Sequence, residues 1–220
     1  EIVFGDWSSD VCSSDLVLRS GKWWCGAPAN HAGEQVWKFQ DEFAKFNESK
    51  FAFACTNGTH AIEIALMAMD VGMGDEVIVS NWTFVASASA VVAVNAVPIF
   101  CDITSDTFLM DPEKLEKLIT PKTKAIVCVH LGGMPCDMEQ IMQIAKKHKL
   151  RVIEDCAHAH GSRYKGKRVG NWGDVGTFSF QASKIQTGGE GGAIVCNDAA
   201  LADRLYEVLE IGRASCRERV

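Results

Sequence analysis

Residues 124–155 read KAIVCVHLGGMPCDMEQIMQIAKKHKLRVIED, and this stretch decides the fold. The apolar run Lys124–Val129 predicts a buried strand, and the amphipathic pattern of Met138–His148 predicts a helix. A second apolar run, Arg151–Glu154, predicts another strand, which ends at Asp155. Two strands joined through a helix are typical of a parallel sheet, because parallel neighbours need a long crossover connection.

The same alternation of strand and helix patterns extends in both directions from this unit. Further strands are predicted at Phe51–Cys55, Glu76–Val79, Val97–Cys101, Gly176–Phe180 and Ala193–Cys196. Further helices are predicted at Thr59–Asp70, Val85–Val94, Asp111–Leu118 and Ala199–Leu209. The spacing therefore predicts an α/β fold, a mostly parallel sheet with helices on both faces.

The composition is that of a globular protein with room for one full-sized core. Of 220 residues, 47% are hydrophobic and 23% are charged, which excludes a disordered or low-complexity chain. The 22 basic and 28 acidic residues give a net charge of −6. Without a basic excess, neither a nucleic acid nor an anionic membrane surface is an expected partner.

Two further features bear on membranes and on cellular location. The run Val77–Cys101 carries no charged residue, but its serines, asparagines and proline favour a buried strand–loop–helix–strand over a membrane span. The nine cysteines are scattered without a CxxC pair. This pattern favours reduced, buried thiols and a cytoplasmic protein.

The two ends of the chain carry no helix or strand pattern. Residues 6–16, DWSSDVCSSDL, and residues 210–220, EIGRASCRERV, can each be back-translated in frame into a common sequencing-library adapter. We therefore expect residues 1–16 and 210–220 to be adapter-derived, non-native tails. The fold prediction applies to the remaining residues, 17–209.

Residues 56–60, Thr-Asn-Gly-Thr-His, follow the first predicted strand and open directly into a helix. Backbone N–H groups and the helix dipole at such an N-terminus favour a phosphate, and Thr59 adds a hydroxyl donor. The same residues are also typical of a plain helix cap. The segment alone does not decide between a phosphate site and a cap.

Asp155 and Lys184 are the two candidate reactive side chains. Asp155 ends a buried strand at the edge where open α/β sheets bind ligands, although a helix N-cap would explain it equally well. Lys184 follows a strand and has small neighbours, so its amine could reach a carbonyl group as a nucleophile. Because most lysines are simply solvated, Lys184 alone is weak support for catalysis.

Metal and nucleotide motifs are incomplete in this sequence. Cys156, His158 and His160 alternate after Asp155, but a zinc site needs more ligands at a suitable geometry, so no metal is expected. Those ligands would have to come from Cys128, His130 and Cys136. Residues 161–167 approximate a GxxxxGK phosphate loop, but Arg168 stands where Ser or Thr is required.

Six segments, taken in order, resemble the DegT/DnrJ/EryC1/StrS aminotransferases. They are residues 57–59 (NGT), 74–77 (GDEV), 83–84 (TF), 154–158 (EDCAH), 179–184 (SFQASK) and 189–192 (GEGG). The resemblance covers essentially all of residues 17–209. It implies the fold-type-I architecture of aspartate aminotransferase and pyridoxal 5'-phosphate as the cofactor. By this resemblance, residues 17–209 are a truncated large domain, and the small C-terminal domain is absent.

The resemblance also implies roles for three catalytic side chains. Lys184 would bind the cofactor aldehyde covalently and later move a proton between carbon atoms. Asp155 would pair with the pyridinium nitrogen and keep it protonated. His158 would lie near the ring or support Asp155. Because some relatives carry histidine in place of the lysine and dehydrate their substrates, Lys184 argues against that branch.

Further contacts to the cofactor and substrate follow from the same resemblance. Phe84 would stack on the ring, with Trp82 as a rival for that position. The phosphate would be held by Gly58, Thr59, the backbone N–H of His60, and Ser179. Weaker candidates for contacting substrate are Trp23, His130 and Gln181.

The implied reaction moves an amino group from glutamate or glutamine to a nucleotide-linked keto-sugar or a keto-cyclitol. The full-length protein is expected to be a homodimer, and the chain by itself is expected to be inactive. Three alternatives stay open: another fold-type-I enzyme such as a decarboxylase or lyase, a cofactor-binding regulatory or sensor relative without turnover, and a binding module for phosphorylated ligands.

Overall fold

The computed structural model describes residues 18–21 and 34–209. Its helices are α1 (Glu34–Asn47), α2 (Gly58–Ala68), α3 (Ala86–Ala93), α4 (Pro112–Lys117), α5 (Met138–His148) and α6 (Ala199–Leu209). Its strands are β1 (Phe51–Cys55), β2 (Glu76–Ser80), β3 (Val97–Cys101), β4 (Thr123–Val129), β5 (Arg151–Asp155), β6 (Arg163–Tyr164), β7 (Lys167–Arg168), β8 (Val175–Ser179) and β9 (Gly192–Cys196). The tails predicted at residues 1–16 and 210–220 lie outside the described residues.

Seven strands form one sheet in the order β1-β9-β8-β5-β4-β2-β3. Strand β9 runs antiparallel to both of its neighbours, whereas the four pairings from β8 across to β3 are parallel. The predicted mostly parallel sheet is therefore confirmed. Because β4, β5 and β8 are adjacent and parallel, the residues that follow them meet at one edge of the sheet.

Both faces of the sheet are covered, because alternate residues of each strand enter different cores. In β2, Val77 and Val79 pack in a core with α2, α3 and α6, whereas Ile78 packs in a core with α4 and α5. A third cluster joins α1 to β8 and β9, where the rings of Phe43 and Phe178 meet edge to face at 5.1 Å. The predicted helices on both faces are confirmed.

Helix α1 and the β6–β7 hairpin are additions to the predicted elements. In helix α1, Phe39, Phe43 and Phe46 recur at helical spacing and pack in the third cluster. This aromatic pattern is typical of an amphipathic helix and could have predicted α1. The hairpin covers residues 163–168, and no helix follows the phosphate-loop look-alike. The other elements lie within two residues of their predicted bounds.

The uncharged run Val77–Cys101 divides into a strand, a helix and a second strand. It contains most of β2, all of α3 and all of β3, as the interrupting polar residues predict. Within residues 18–21 and 34–209, every helix is too short or too polar to span a bilayer.

Candidate active site

A cavity of about 610 Å³ lies where the carboxyl ends of β4, β5 and β8 meet the first turn of α2. The predicted site residues that line it are Gly58, Thr59, Phe84, Asp155, His158, Ser179, Gln181 and Lys184. These residues come from four separate stretches of the chain. The topology of the sheet therefore brings most of the predicted constellation to one place.

Asp155 is held at the cavity wall by two hydrogen bonds. Its side chain is buried at the end of β5, Oδ1 accepts from the backbone N–H of Ala157 at 3.1 Å, and Oδ2 accepts from the Ser87 hydroxyl at 2.7 Å. The residues that follow are turns, not a helix. The N-cap alternative is therefore excluded, and a ligand-facing carboxylate remains.

The start of α2 is both a cap and a candidate anion site. Asn57 caps the helix, because its Oδ1 accepts from the backbone N–H of His60 at 2.8 Å. The N–H groups of Gly58 and Thr59 donate to no residue that the structure describes. Since both residues line the cavity, these amides and the positive end of the helix dipole are available to an anion there.

The phosphate contact predicted for the His60 N–H is corrected by this geometry. That N–H is already donated to Asn57, and the His60 ring nitrogen Nδ1 lies 2.9 Å from Thr56 Oγ1. His60 is also absent from the cavity lining. The Asn57 cap therefore uses the backbone N–H of His60, the third residue of α2. The N–H groups of Gly58 and Thr59 stay available to an anion.

Lys184 follows β8 in a tight turn, in which its backbone N–H donates to the carbonyl of Gln181 at 2.9 Å. Its Nζ lies 6.0 Å from the centre of the Phe84 ring. The rival aromatic, Trp82, packs against Phe108 with ring centres 6.4 Å apart and does not line the cavity. The structure therefore favours Phe84 over Trp82 as the ring next to the lysine.

His158 is a half-buried imidazole in the same wall. Burial and the nearby positive charge of Lys184 lower the pKa of His158, against the opposing effect of Asp155. The ring is therefore neutral at neutral pH. Its Nδ1 accepts from the backbone N–H of Gly132 at 3.4 Å, which places the ring proton on Nε2.

The substrate contact predicted for His130 is corrected, whereas that for Trp23 lies outside the described residues. His130 is fully buried, and its Nε2 lies 3.0 Å from Glu154 Oε2. Its Nδ1 accepts from the backbone N–H of Cys136 at 3.0 Å, so the ring donates from Nε2 to the carboxylate. Both ring nitrogens of His130 therefore have hydrogen-bond partners within the protein, and neither is available to a substrate.

Glu154 has a buried carboxylate and was not among the predicted site residues. Its carboxylate accepts three backbone N–H groups besides His130, at 2.7–2.8 Å. The donors are Gly170, Trp172 and Gly173. The trio His130, Glu154 and Cys156 has the side-chain types of a metal site, but hydrogen bonds already occupy the imidazole and carboxylate atoms. This arrangement fixes the 170–173 loop to β5.

The contact between β9 and the start of α2 leaves no room for a side chain. A Cβ added at Gly192 would lie 2.4 Å from the backbone C and O of Asn57. We expect Gly192→Ala to lower the free energy of unfolding by about 2 kcal/mol, because the backbones must separate. Urea unfolding measures this loss. The matched control is Gly72→Ala, whose added Cβ would lie 3.8 Å from its nearest neighbour, and equal losses in both variants would contradict the account.

His160 makes the stability depend on pH. Its ring lies 5.4 Å from Phe178 and 5.3 Å from Phe180, and neither nitrogen hydrogen-bonds to a described residue. Burial, followed by the charge of Lys184, lowers the pKa of His160 from 6.5 to about 4. Between these values the folded chain binds fewer protons than the unfolded chain. The free energy of unfolding therefore falls as the pH drops through this range, by at most about 3 kcal/mol from this group.

The test of this pH dependence is His160→Phe, which keeps an aromatic ring between its aromatic neighbours. We expect the variant to lose less stability than the wild type when urea unfolding is compared at the two ends of that range. Phe39→Leu, which alters the same aromatic cluster but removes no titratable group, is the control and keeps the wild-type slope. Identical slopes for wild type and His160→Phe would show that another group carries the effect.

The chain matches known proteins over most of its length. The sequence model of the DegT/DnrJ/EryC1/StrS aminotransferase family matches residues 17–219. GDP-perosamine synthase of Escherichia coli O157:H7 is 51% identical over 186 residues, which are 84% of this chain and 51% of that protein. L-glutamine:2-deoxy-scyllo-inosose aminotransferase of Streptomyces kanamyceticus is 45% identical over 197 residues, which are 90% of this chain and 46% of that protein.

Solved structures agree with these relatives. The aminotransferase from Psychrobacter cryohalolentis superposes with a TM-score of 0.81 at 45% identity, over 92% of this chain and 51% of that one. NtdA from Bacillus subtilis, solved with bound cofactor PMP, gives a TM-score of 0.79 at 35% identity, over 90% and 45% of the two chains. The chain spans about half the length of the relatives it matches. On its sequence, its sheet topology and the residues around its cavity, the chain belongs to the DegT/DnrJ/EryC1/StrS aminotransferase family.

Proposed function

We propose that this chain contributes the cofactor-binding half of a pyridoxal 5'-phosphate-dependent aminotransferase. The enzyme would move an amino group from glutamate or glutamine to a nucleotide-linked keto-sugar or a keto-cyclitol. The observation that carries this proposal is the convergence of Lys184, Asp155 and the first turn of α2 on one cavity. An amine, a carboxylate and an anion site are the three groups that this cofactor requires.

The cavity fits the phosphate end of the cofactor. The free amides of Gly58 and Thr59, with the hydroxyl groups of Thr59 and Ser179, form a set of donors for an anion. Their close approach depends on Gly58, because a Cβ there would lie 2.8 Å from Ser179 Cβ. Only glycine allows the end of β8 and the start of α2 to enclose this corner.

The cavity also fits the ring end. When bound, the cofactor supplies an electron-withdrawing pyridinium that stabilises negative charge on the substrate carbon. Asp155 would hold the proton on the ring nitrogen, because a buried carboxylate favours a cation beside it. Phe84 would cover one face of the ring and exclude water.

Lys184 and His158 are the groups that would handle protons and the covalent bond. The Lys184 amine would bind the cofactor aldehyde and, once released, move a proton between the two carbon atoms of the reaction. His158, neutral and with its proton on Nε2, would donate a hydrogen bond within the cavity. Gln181 would lie toward the substrate side.

The relatives support the substrate class. One is named for an amino sugar carried on GDP, and the other for transfer from glutamine to a keto-cyclitol.

We further propose that residues 1–16 and 210–220 are non-native, and that a longer natural chain completes the substrate site as a homodimer. The net charge of −6 and the free cysteines fit a cytoplasmic enzyme without nucleic acid or membrane partners.

The half-reaction with the amino donor tests the proposed function. The longer natural protein, loaded with pyridoxal phosphate, is mixed with L-glutamine or L-glutamate, and the 2-oxo product is measured by mass spectrometry. We expect up to one equivalent of 2-oxo acid per bound cofactor, and no carbon dioxide. Carbon dioxide or ammonia without the 2-oxo acid would indicate a decarboxylase or lyase. Cofactor binding with no product from either donor would indicate a sensor.

A further inference from the structure

Ser87 is a polar side chain in a helix made otherwise of small apolar residues and one exposed serine. Helix α3 reads ASASAVVA, and within it Ser87 is fully buried at 0% exposure. Its hydroxyl lies 2.7 Å from Asp155 Oδ2 and 2.8 Å from Thr83 Oγ1. A buried hydroxyl is costly unless it is bonded, so these two contacts account for its presence in the core.

The direction of these hydrogen bonds follows from their chemistry. An ionised carboxylate only accepts, so the Ser87 hydroxyl must donate its single proton to Asp155. The bond between Ser87 and Thr83 then requires Thr83 to donate. Thr83 lines the cavity, so a chain of two polarised hydroxyl groups runs from the cavity wall to the carboxylate. Such a chain is stronger than isolated bonds, because each donor polarises the next.

The two oxygens of Asp155 accept from different donors. The backbone N–H of Ala157 holds Oδ1, and Ser87 holds Oδ2. A side-chain substitution at Ser87 leaves the backbone N–H of Ala157 in place. Ser87 is therefore the donor to Asp155 that a substitution can remove. We propose that Ser87 and Thr83 form a hydroxyl chain that positions the Asp155 carboxylate toward a cationic ring nitrogen. In this chain Ser87 is a positioning residue, because it acts through Asp155.

The surroundings of Asp155 allow this role to be isolated. The titratable residues His158, Lys184 and Glu190 line the same cavity as Asp155, and Glu154 and Cys156 are its neighbours in the chain. None of them bonds to Ser87 or Thr83. A substitution at Ser87 or Thr83 therefore changes the hydrogen bonding of Asp155 without removing a charge.

Four variants separate positioning from packing. Ser87→Ala removes the donor to Asp155, whereas Ser89→Ala removes an exposed hydroxyl from the same helix. Thr83→Val removes the second donor at nearly constant volume, and Thr83→Ser keeps it. Thr83 is only partly buried, so its variants keep the test valid if Ser87→Ala fails to fold.

The first readout needs no cofactor. In protein labelled with ¹³C at aspartate carboxyl carbons, the Asp155 signal is assigned by its loss in Asp155→Asn. We expect this signal to move at neutral pH in Ser87→Ala, to move less in Thr83→Val, and to stay in Ser89→Ala and Thr83→Ser. An unmoved signal in both Ser87→Ala and Thr83→Val would overturn the inference.

The second readout uses pyridoxal phosphate, and its meaning rests on the proposed function. We expect the dissociation constant to rise about tenfold in Ser87→Ala and about threefold in Thr83→Val, to stay unchanged in Ser89→Ala, and to be closer to the wild-type value in Thr83→Ser than in Thr83→Val. A moved ¹³C signal with unchanged cofactor affinity would overturn the positioning role. If the wild type binds no cofactor while the ¹³C signal still moves, the hydroxyl chain stands and the proposed function fails.

Discussion

We expect Lys184→Ala to abolish the borohydride-stable attachment of pyridoxal phosphate to this chain, and the yellow colour of the loaded protein to disappear with it. We expect the covalent adduct to be lost completely, because Lys184 is the one lysine among the described residues that line the cavity. The dissociation constant for the cofactor should rise about a hundredfold, since only noncovalent contacts remain. Absorbance of the loaded protein and the intact mass after reduction measure both effects.

The matched control is Lys124→Ala. Lys124 is an exposed lysine in the first half of β4, and the cavity lies at the opposite, carboxyl end of that strand. This variant should keep both the colour and the adduct. A yellow Lys184→Ala protein that is still labelled after reduction would show that another lysine binds the cofactor.

Glu154→Gln lowers the free energy of unfolding by about 3 kcal/mol, the largest stability effect expected for a single conservative change here. The carboxylate is fully buried and accepts from three backbone N–H groups and from His130 Nε2. An amide replaces one acceptor oxygen with an N–H₂ group. The new N–H₂ group then faces N–H groups that are also donors. At least one of these buried N–H groups loses its hydrogen-bond acceptor.

Urea unfolding at neutral pH measures this loss as a lower midpoint at an unchanged slope. Glu139→Gln is the control, because Glu139 pairs with Lys165 on an exposed surface of α5, and surface pairs contribute little. Its midpoint should match that of the wild type. A loss below about 1 kcal/mol in Glu154→Gln would mean that the loop 170–173 rearranges to recover its bonds.

The sequence predicts most of the fold because the strand and helix patterns are local. Helix α5 and strand β3 are found with their predicted bounds, since a buried face repeats with a fixed period. The antiparallel insertion of β9 between β1 and β8 is not a local property. It depends on pairings between strands that are far apart in the sequence, such as Phe51 with Cys196.

The candidate site is predictable where the chemistry follows a strand end directly, as for Asp155 and Lys184. It is not predictable where the partner is distant in sequence, as for Ser87, which is 68 residues from Asp155. The adjacent acids Glu154 and Asp155 show why. Successive strand residues point to opposite faces, so one binds the 170–173 loop and the other faces the cavity. The place of Asp155 at the strand end predicts its role, whereas the role of Glu154 depends on a loop that lies 16 to 19 residues further along the chain.

Lys184 is the residue that we propose binds the cofactor, within a cavity formed at the carboxyl ends of the parallel strands. The most direct measurement is to load the unaltered protein with pyridoxal phosphate, reduce it with borohydride, and map the modified peptide by tandem mass spectrometry. We expect one phosphopyridoxyl group, on Lys184. Modification of a different lysine, or labelling spread evenly over exposed lysines, would contradict it.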